Sequence, residues 1–279
     1  MIKAKTKIRD CSVCELYKSG VGVIDIAKKF KVTRSLIWQI LKYNKIKLRS
    51  QKGIHFKYHQ NDFFFSKLNE LSCFWAGFIA ADGCIREKAN TTSMLQIELA
   101  IKDLDFLKQF INDIKWSGDI RIKKPRVCHF QNQKPSISHM CSVAISSDQI
   151  CNDLKNNFNI TPKKSLKYIP PVLQDTFMRH FIRGYFAGDG TICYSDLIRK
   201  SMKIYRKFRF QLVGTKKAMI IFRNYLARKC NLNKTKIHMD YHGNLFRSVY
   251  SCGKALKIMK FLHNRANRVM DRKTIEHYI

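Results

Sequence analysis

The sequence predicts an α+β protein in which two tandem copies of one mixed helix and strand unit follow a small all-helical module. Three observations predict it. An apolar stretch ending in Asp-Gly occurs twice, as FWAGFIAADGCI at 74–85 and FIRGYFAGDGTI at 181–192, with Asp82 and Asp189 separated by 107 residues. Each copy is followed by the apolar/polar alternation of a half-buried strand, SMLQIELAI in the first and KFRFQLV in the second. The first 50 residues instead read as three short helices.

Composition bounds the partners. With 279 residues, 45% of them apolar, the chain is long enough for two or three compact units with real cores, which excludes a disordered tail. Lys and Arg number 53 against 20 acids, a formal charge of +33 that favours a polyanionic partner, nucleic acid by default. The longest uncharged apolar stretch, Cys73 to Ala81, is too short to span a bilayer. Met1 to Lys18 is basic without the apolar core of a secretory signal, and the ten scattered cysteines suit reduced thiols. The expected location is therefore intracellular, with cytoplasm, nucleus and organelle matrix all open. Cys11 and Cys14 form a lone CxxC with no second pair at zinc-finger distance, so they read as two small residues on a helix face.

Charge is concentrated at the N-terminus, where residues 1–60 hold 15 Lys and Arg against Asp10, Glu15 and Asp25, a net of +12. The helices there are CSVCELYKSG, VIDIAKKF and VTRSLIWQILKYN. Thr33 is placed to cap the third, whose stripe is Leu36, Ile37, Ile40 and Leu41. This pattern resembles the helix-turn-helix of resolvase-type regulators over roughly residues 10–48, with Lys31 at the turn position often filled by Gly. The resemblance implies a third helix in a DNA major groove, presenting Arg34, Ser35, Trp38, Gln39 and Lys42 to bases and phosphates. A plain three-helix bundle with a solvated basic face is the alternative.

The duplication extends beyond the motifs. Leu104, Leu107 and Ile111 match Met219, Phe222 and Leu226 at one offset of 115, and each copy later reaches a basic pair before a hydroxyl, PKKS at 162–165 and DRKT at 271–274. The expected organisation is a helix-turn-helix domain at 1–50, a basic linker at 51–67, and repeats at 68–171 and 172–279 that meet near Pro170 and Pro171.

From Leu68 onward the chain resembles the LAGLIDADG homing-endonuclease family. The motifs read WAGFIAADG and IRGYFAGDG, keeping the last acid and its Gly, with Ala80 and Ala187 in place of an earlier acid. The resemblance implies two αββαββα repeats forming a pseudo-twofold saddle, with the motif helices side by side at its centre. Gly77 and Ala81 on one helix, and Gly184 and Gly188 on the other, would let the two backbones approach closely.

Asp82 and Asp189 would then emerge together at the helix C-termini, where dipole and mutual repulsion both disfavour them unless a divalent cation is shared. The expected metal is Mg2+, with Mn2+ as an in vitro substitute, held by Asp82, Asp189 and the backbone of Ala81 and Gly188. Lys164 and Lys273, 82 and 84 residues after their motif acids, are candidates for the basic groups that the family places near the scissile phosphate. Lys163 or Arg272 are alternatives. Outward strand positions, Gln96, Glu98, Arg121 and Lys123 in the first copy and Lys207, Arg209 and Gln211 in the second, would read the duplex.

The expected activity is site-specific cleavage of both strands of a long, non-palindromic target by a monomer, in the context of intron homing. An RNA-binding maturase acting on its own intron, or a non-catalytic transcription regulator, would not need both acids; their retention favours cleavage.

Overall fold

The computed structural model describes residues 2–19, 21–46, 58–87, 89, 91–129, 135–198, 204–240 and 243–274, with side-chain surroundings described for all of these except 2–9, 195–198 and 204–207. The chain divides into two compact units, Met1–Lys52 and Gly53–Ile279.

The first unit is three helices, α1 (Ile2–Lys18), α2 (Val23–Lys29) and α3 (Arg34–Tyr43). Apolar residues three and four apart meet in one core: Val13, Cys14 and Tyr17 from α1, Ile26 and Ala27 from α2, and Ile37, Ile40 and Leu41 from α3. The Thr33 side chain accepts from the Leu36 N–H at 3.3 Å and so starts α3. Between α2 and α3 the chain turns through Lys31 at φ 52, a left-handed conformation that a Gly would adopt at less cost. The first helix begins at Ile2 rather than at Cys11. No Pro or Gly interrupts residues 2–18, so the helix continues through a stretch too polar to show a stripe.

In the second unit the order is α4 (Glu70–Asp82), β1 (Gly83–Arg86), β2 (Met94–Ala100), α5 (Leu104–Asp113), β3 (Arg121–Ile122), β4 (Arg126–Cys128), β5 (Ser136–Ser138), β6 (Met140–Ser146) and α6 (Asp148–Phe158). It repeats as α7 (Asp175–Asp189), β7 (Gly190–Ile198), β8 (Ile204–Gly214), α8 (Lys216–Lys229), β9 (Ile237–Met239), β10 (Phe246–Ser251) and α9 (Gly253–His263). The antiparallel sheets are ordered β1-β2-β6-β3 and β7-β8-β10-β9, the same arrangement twice. Both halves are αββαββα, and the first carries the additional two-stranded ribbon β4-β5. Alternation sets the sheet faces: Leu95, Ile97 and Leu99 of β2, and Phe208, Phe210 and Leu212 of β8, point into the core.

The motif helices are buried on nearly every side because each packs on its twin as well as on its own repeat. On α4, Trp75 and Phe78 meet Phe106 at 5.0 Å each, while on α7 Phe186 stacks on Phe210 at 4.8 Å. The helices cross at Gly77 and Gly184. A methyl group added to Gly77 would overlap the Phe181 carbonyl, and one added to Gly184 the Phe74 carbonyl, so backbone touches backbone there.

Within the stretch 51–67, expected as a basic linker, the described residues are packed. Residues 51–57 lie outside the described ones, but Tyr58 meets Trp116 edge-on at 5.5 Å, the Asn61 N–H donates to the Ile114 carbonyl at 2.8 Å, and Phe65 is fully buried. Phe64 and Phe65, packed on the core, outweigh the basic character of the stretch.

Candidate active site

Asp82 and Asp189 are the last residues of α4 and α7, and each helix ends into a strand through the Gly that follows. The crossing at Gly77 and Gly184 brings these ends together. A methyl on Gly188 would stand 3.1 Å from the Asp82 Oδ2, so the end of one helix lies against the carboxylate of the other. Asp82 is exposed and Asp189 half-buried, but desolvation at the packed helix ends pushes both carboxyls upward; Asp189 is raised to about 6, with the charge of Asp82 as its second cause. Lys164, the Tyr185 hydroxyl and Lys273 partly offset this at Asp189, as Lys273, Lys164 and Arg272 do at Asp82.

The last carbonyls of an α-helix have no partner within it and carry the negative end of its dipole. Here a buried lysine meets each set. Lys164 Nζ donates to the Ala81 carbonyl at 3.5 Å, and Lys273 Nζ donates to the Phe186, Ala187 and Gly188 carbonyls at 3.2, 2.8 and 2.7 Å. Both side chains are shut away, with 7% and 6% exposure, whereas Lys163 is exposed and Arg272 forks onto Asp103. Burial lowers both ammonium groups, Lys273 to about 8. The carboxylate that each lysine feels most is that of the other repeat, Asp189 for Lys164 and Asp82 for Lys273.

The backbone carbonyls of Ala81 and Gly188 thus already accept from lysines, and each retains a second lone pair. Among the described residues no group of three or more His, Cys, Asp or Glu converges on one point. Cys11 is exposed and Cys14 lies in the core of the first unit.

On the first sheet Gln96 and Glu98 are half-buried on the face away from the core, and Glu98, Ser142 and Arg121 form one cross-strand row. Lys123 reaches back to this row, its Nζ 2.5 Å from the Glu98 Oε2. On the second sheet Arg209 and Gln211 are half-buried on the corresponding face, while the side chain of Lys207 lies outside the described ones. In the first unit Arg34, Ser35, Trp38, Gln39 and Lys42 are all exposed on α3, Trp38 with its ring 6.5 Å from Tyr17.

Residues 69–112 match a family model described as a LAGLIDADG-like domain. The matched segment spans α4 to α5 of the first repeat, and the second repeat reproduces its element order and sheet order. Among solved structures, the meganuclease I-CpaMI bound to uncleaved DNA aligns with 76% of this chain and 89% of its own, at 16% identity and a TM-score of 0.50. Meganuclease I-SmaMI bound to an uncleavable DNA with a TTGT centre aligns with 74% and 85%, at 14% identity and a TM-score of 0.48. I-SmaMI bound to an uncleaved target in the presence of calcium ions aligns with 74% and 87%, at 13% identity and 0.46. No curated protein matches the sequence. The architecture of the second unit is the LAGLIDADG fold.

Sequence reasoning did not reach Tyr185 as a neighbour of Asp189, nor the carboxylates Glu70, Asp103 and Asp113 that hold the C-terminal segment. One signal pointed to the latter: in a chain with 53 basic residues and 20 acids, an acid beside a motif helix has many suitors and few competitors.

Proposed function

We propose that this protein is a site-specific DNA endonuclease that cuts both strands of a long, non-palindromic duplex as a single chain, using a divalent cation. One observation carries the reading: two carboxylates, one per repeat, stand at the adjoining ends of crossed helices, and each helix end holds a buried lysine.

The donor set fits a hard divalent ion such as Mg2+. Two oxygen-donor carboxylates held up by desolvation, one of them also by its neighbour's charge, gain a partner that relieves both penalties. Asp82 and Asp189 would hold it, with the free lone pairs of the Ala81 and Gly188 carbonyls, water and phosphate oxygens completing the shell. When bound, such an ion supplies an activated water and neutralises charge that builds on the phosphate. Lys164 and Lys273 keep positive charge beside that phosphate. Lys273, at about 8, can also hold or release a proton near neutral pH.

Duplex binding follows from the +33 charge and from the outward sheet rows. Gln96, Glu98 and Arg121 on one sheet differ from Arg209 and Gln211 on the other, so the half-sites they read differ too. The DNA complex of I-CpaMI, with the same fold, supports a duplex partner. Exposed Arg34, Ser35, Trp38, Gln39 and Lys42 on α3 make the N-terminal helices a second DNA contact.

The test is incubation with a randomised duplex library and Mg2+, then sequencing of the ends. Paired ends at one offset are expected. A library cut no more than by the Asp82→Asn, Asp189→Asn double variant would sink the reading.

A further inference from the structure

The 3-10 turn Asp271–Lys273 that carries the second lysine follows α9 through a segment held on the first repeat as well as on its own. Three carboxylates of the first repeat hold that segment. Asn267 donates through its backbone and side chain to Glu70 at 3.0 and 2.8 Å. Arg268 donates through Nε and Nη2 to both oxygens of Asp113 at 2.9 and 2.8 Å. Arg272 donates in the same two-bond fork to both oxygens of Asp103, at 2.7 and 3.0 Å. Asp103 and Asp113 are almost shut off from solvent, with side chains 7% and 8% exposed, so these forks are worth more than surface pairs. The last fork is one residue from Lys273, whose ammonium must reach three carbonyls at once.

The first repeat's lysine is held otherwise. Among the described residues, the segment after α6 meets the second repeat through neutral contacts: Thr215 Oγ1 donates to the Tyr168 carbonyl at 2.6 Å, and Tyr168 stacks on Tyr185 at 6.5 Å. Lys164 itself has one long bond, 3.5 Å, to α4.

We infer that Asp103 and Arg272 are positioning residues for Lys273, so that one half of the active site depends on an ionic fork between the repeats and the other does not. Breaking the fork turns a double-strand cutter into a strand-biased one. This rests on the endonuclease reading for its catalytic consequence, but not for the placement of Lys273.

The experiment therefore has two readouts on the full chain, for Asp103→Asn, Arg272→Gln and Arg272→Lys. On a cleavable duplex with the two strands labelled differently, cutting of one strand should slow by about tenfold to a hundredfold, the cost of a misplaced group, while the other stays within about threefold. A folding defect would slow both alike. In the DNA-free protein, acetic anhydride followed by mass spectrometry should show Lys273 acylated at least about fivefold faster and Lys164 unchanged, since loss of the two-bond fork lets the ammonium leave its carbonyls. Arg272→Lys keeps the charge without the fork and should fall between wild type and Arg272→Gln in both readouts.

Equal slowing of both strands, or unchanged acylation of Lys273, overturns the proposal. If wild type cuts no duplex, the endonuclease reading fails while acylation still decides the positioning. If Asp103→Asn does not fold, the two Arg272 variants, altered on a side chain 44% exposed, carry both measurements.

Discussion

At the scale of single residues, the site sets two acids against each other and against their helix ends, an arrangement that costs stability. Asp189, raised to about 6 from an ordinary 3.8, is an acid whose ionised form is disfavoured by folding, so above pH 6 its charge opposes the folded state. The cost is on the order of 2–3 kcal/mol, from about 1.4 kcal/mol per pH unit. Asp189→Asn should therefore abolish cleavage yet raise the melting temperature measured in EDTA at pH 7.5 by several degrees, with DNA binding within about tenfold of wild type. The gain should shrink at pH 5, where Asp189 is largely protonated. No gain at pH 7.5 would mean that the carboxylate is not strained. Lys164→Met and Lys273→Met should each slow one strand, and not the same one, in an assay with both strands end-labelled.

At the scale of elements, the crossing of α4 and α7 is fixed by two glycines whose neighbours are backbone carbonyls, which cannot yield. Gly77→Ala or Gly184→Ala should push the helices apart and cost more than about 3 kcal/mol, near the upper end for overpacking. Gly188→Ala, where the methyl meets the Ala81 Cβ and the Asp82 carboxylate, should cost less; denaturant unfolding ranks the three, and equal costs would place the crossing elsewhere. These helices were legible in the sequence because the motif occurs twice, and β2 and β8 because their alternation is clean. The cap at Thr33 was legible as local chemistry, and the left-handed turn at Lys31 only through the resemblance to a helix-turn-helix. The ribbon β4-β5 was not, being short, exposed and, among the described residues, without a counterpart in the second repeat. Nor were the Arg268–Asp113 and Arg272–Asp103 forks, which join residues 155 and 169 apart and leave no periodic trace. The N-terminal helices invite their own test. Deleting Met1–Lys52 should weaken DNA binding and flatten its salt dependence, since each lost phosphate contact removes about 0.9 from the log-log slope. An unchanged slope would leave those helices without a role on DNA.

At the scale of the whole molecule, 53 basic residues and a doubled fold place both acids in one chain, so sedimentation should give a monomer of 32.8 kDa. The same excess of positive charge shapes the response to acid through two half-buried histidines. His180 is lowered to about 4 by burial and then by Arg183, against the pull of Glu70, and His263 to about 4 by burial, Arg183 and Arg179. Both keep neutral rings in the fold at a pH where the unfolded chain protonates them, near 6.5. Between pH 6.5 and 4 the unfolded state therefore binds more protons, and stability falls as pH falls, by up to about 1.4 kcal/mol per pH unit for each group. Asp189 acts in the opposite sense: below 6 the folded state holds a proton that the unfolded chain has released, which restores stability down to about the ordinary carboxylate range. The wild-type melting temperature in EDTA should thus fall below about pH 6.5 with the slope of about one proton rather than two. Asp189→Asn, lacking the compensating proton, should keep falling steeply through pH 5. Thermal unfolding of both proteins from pH 7.5 to 4.5 measures this, and two parallel curves would show that the histidines and the active-site carboxylate are not opposed in this way.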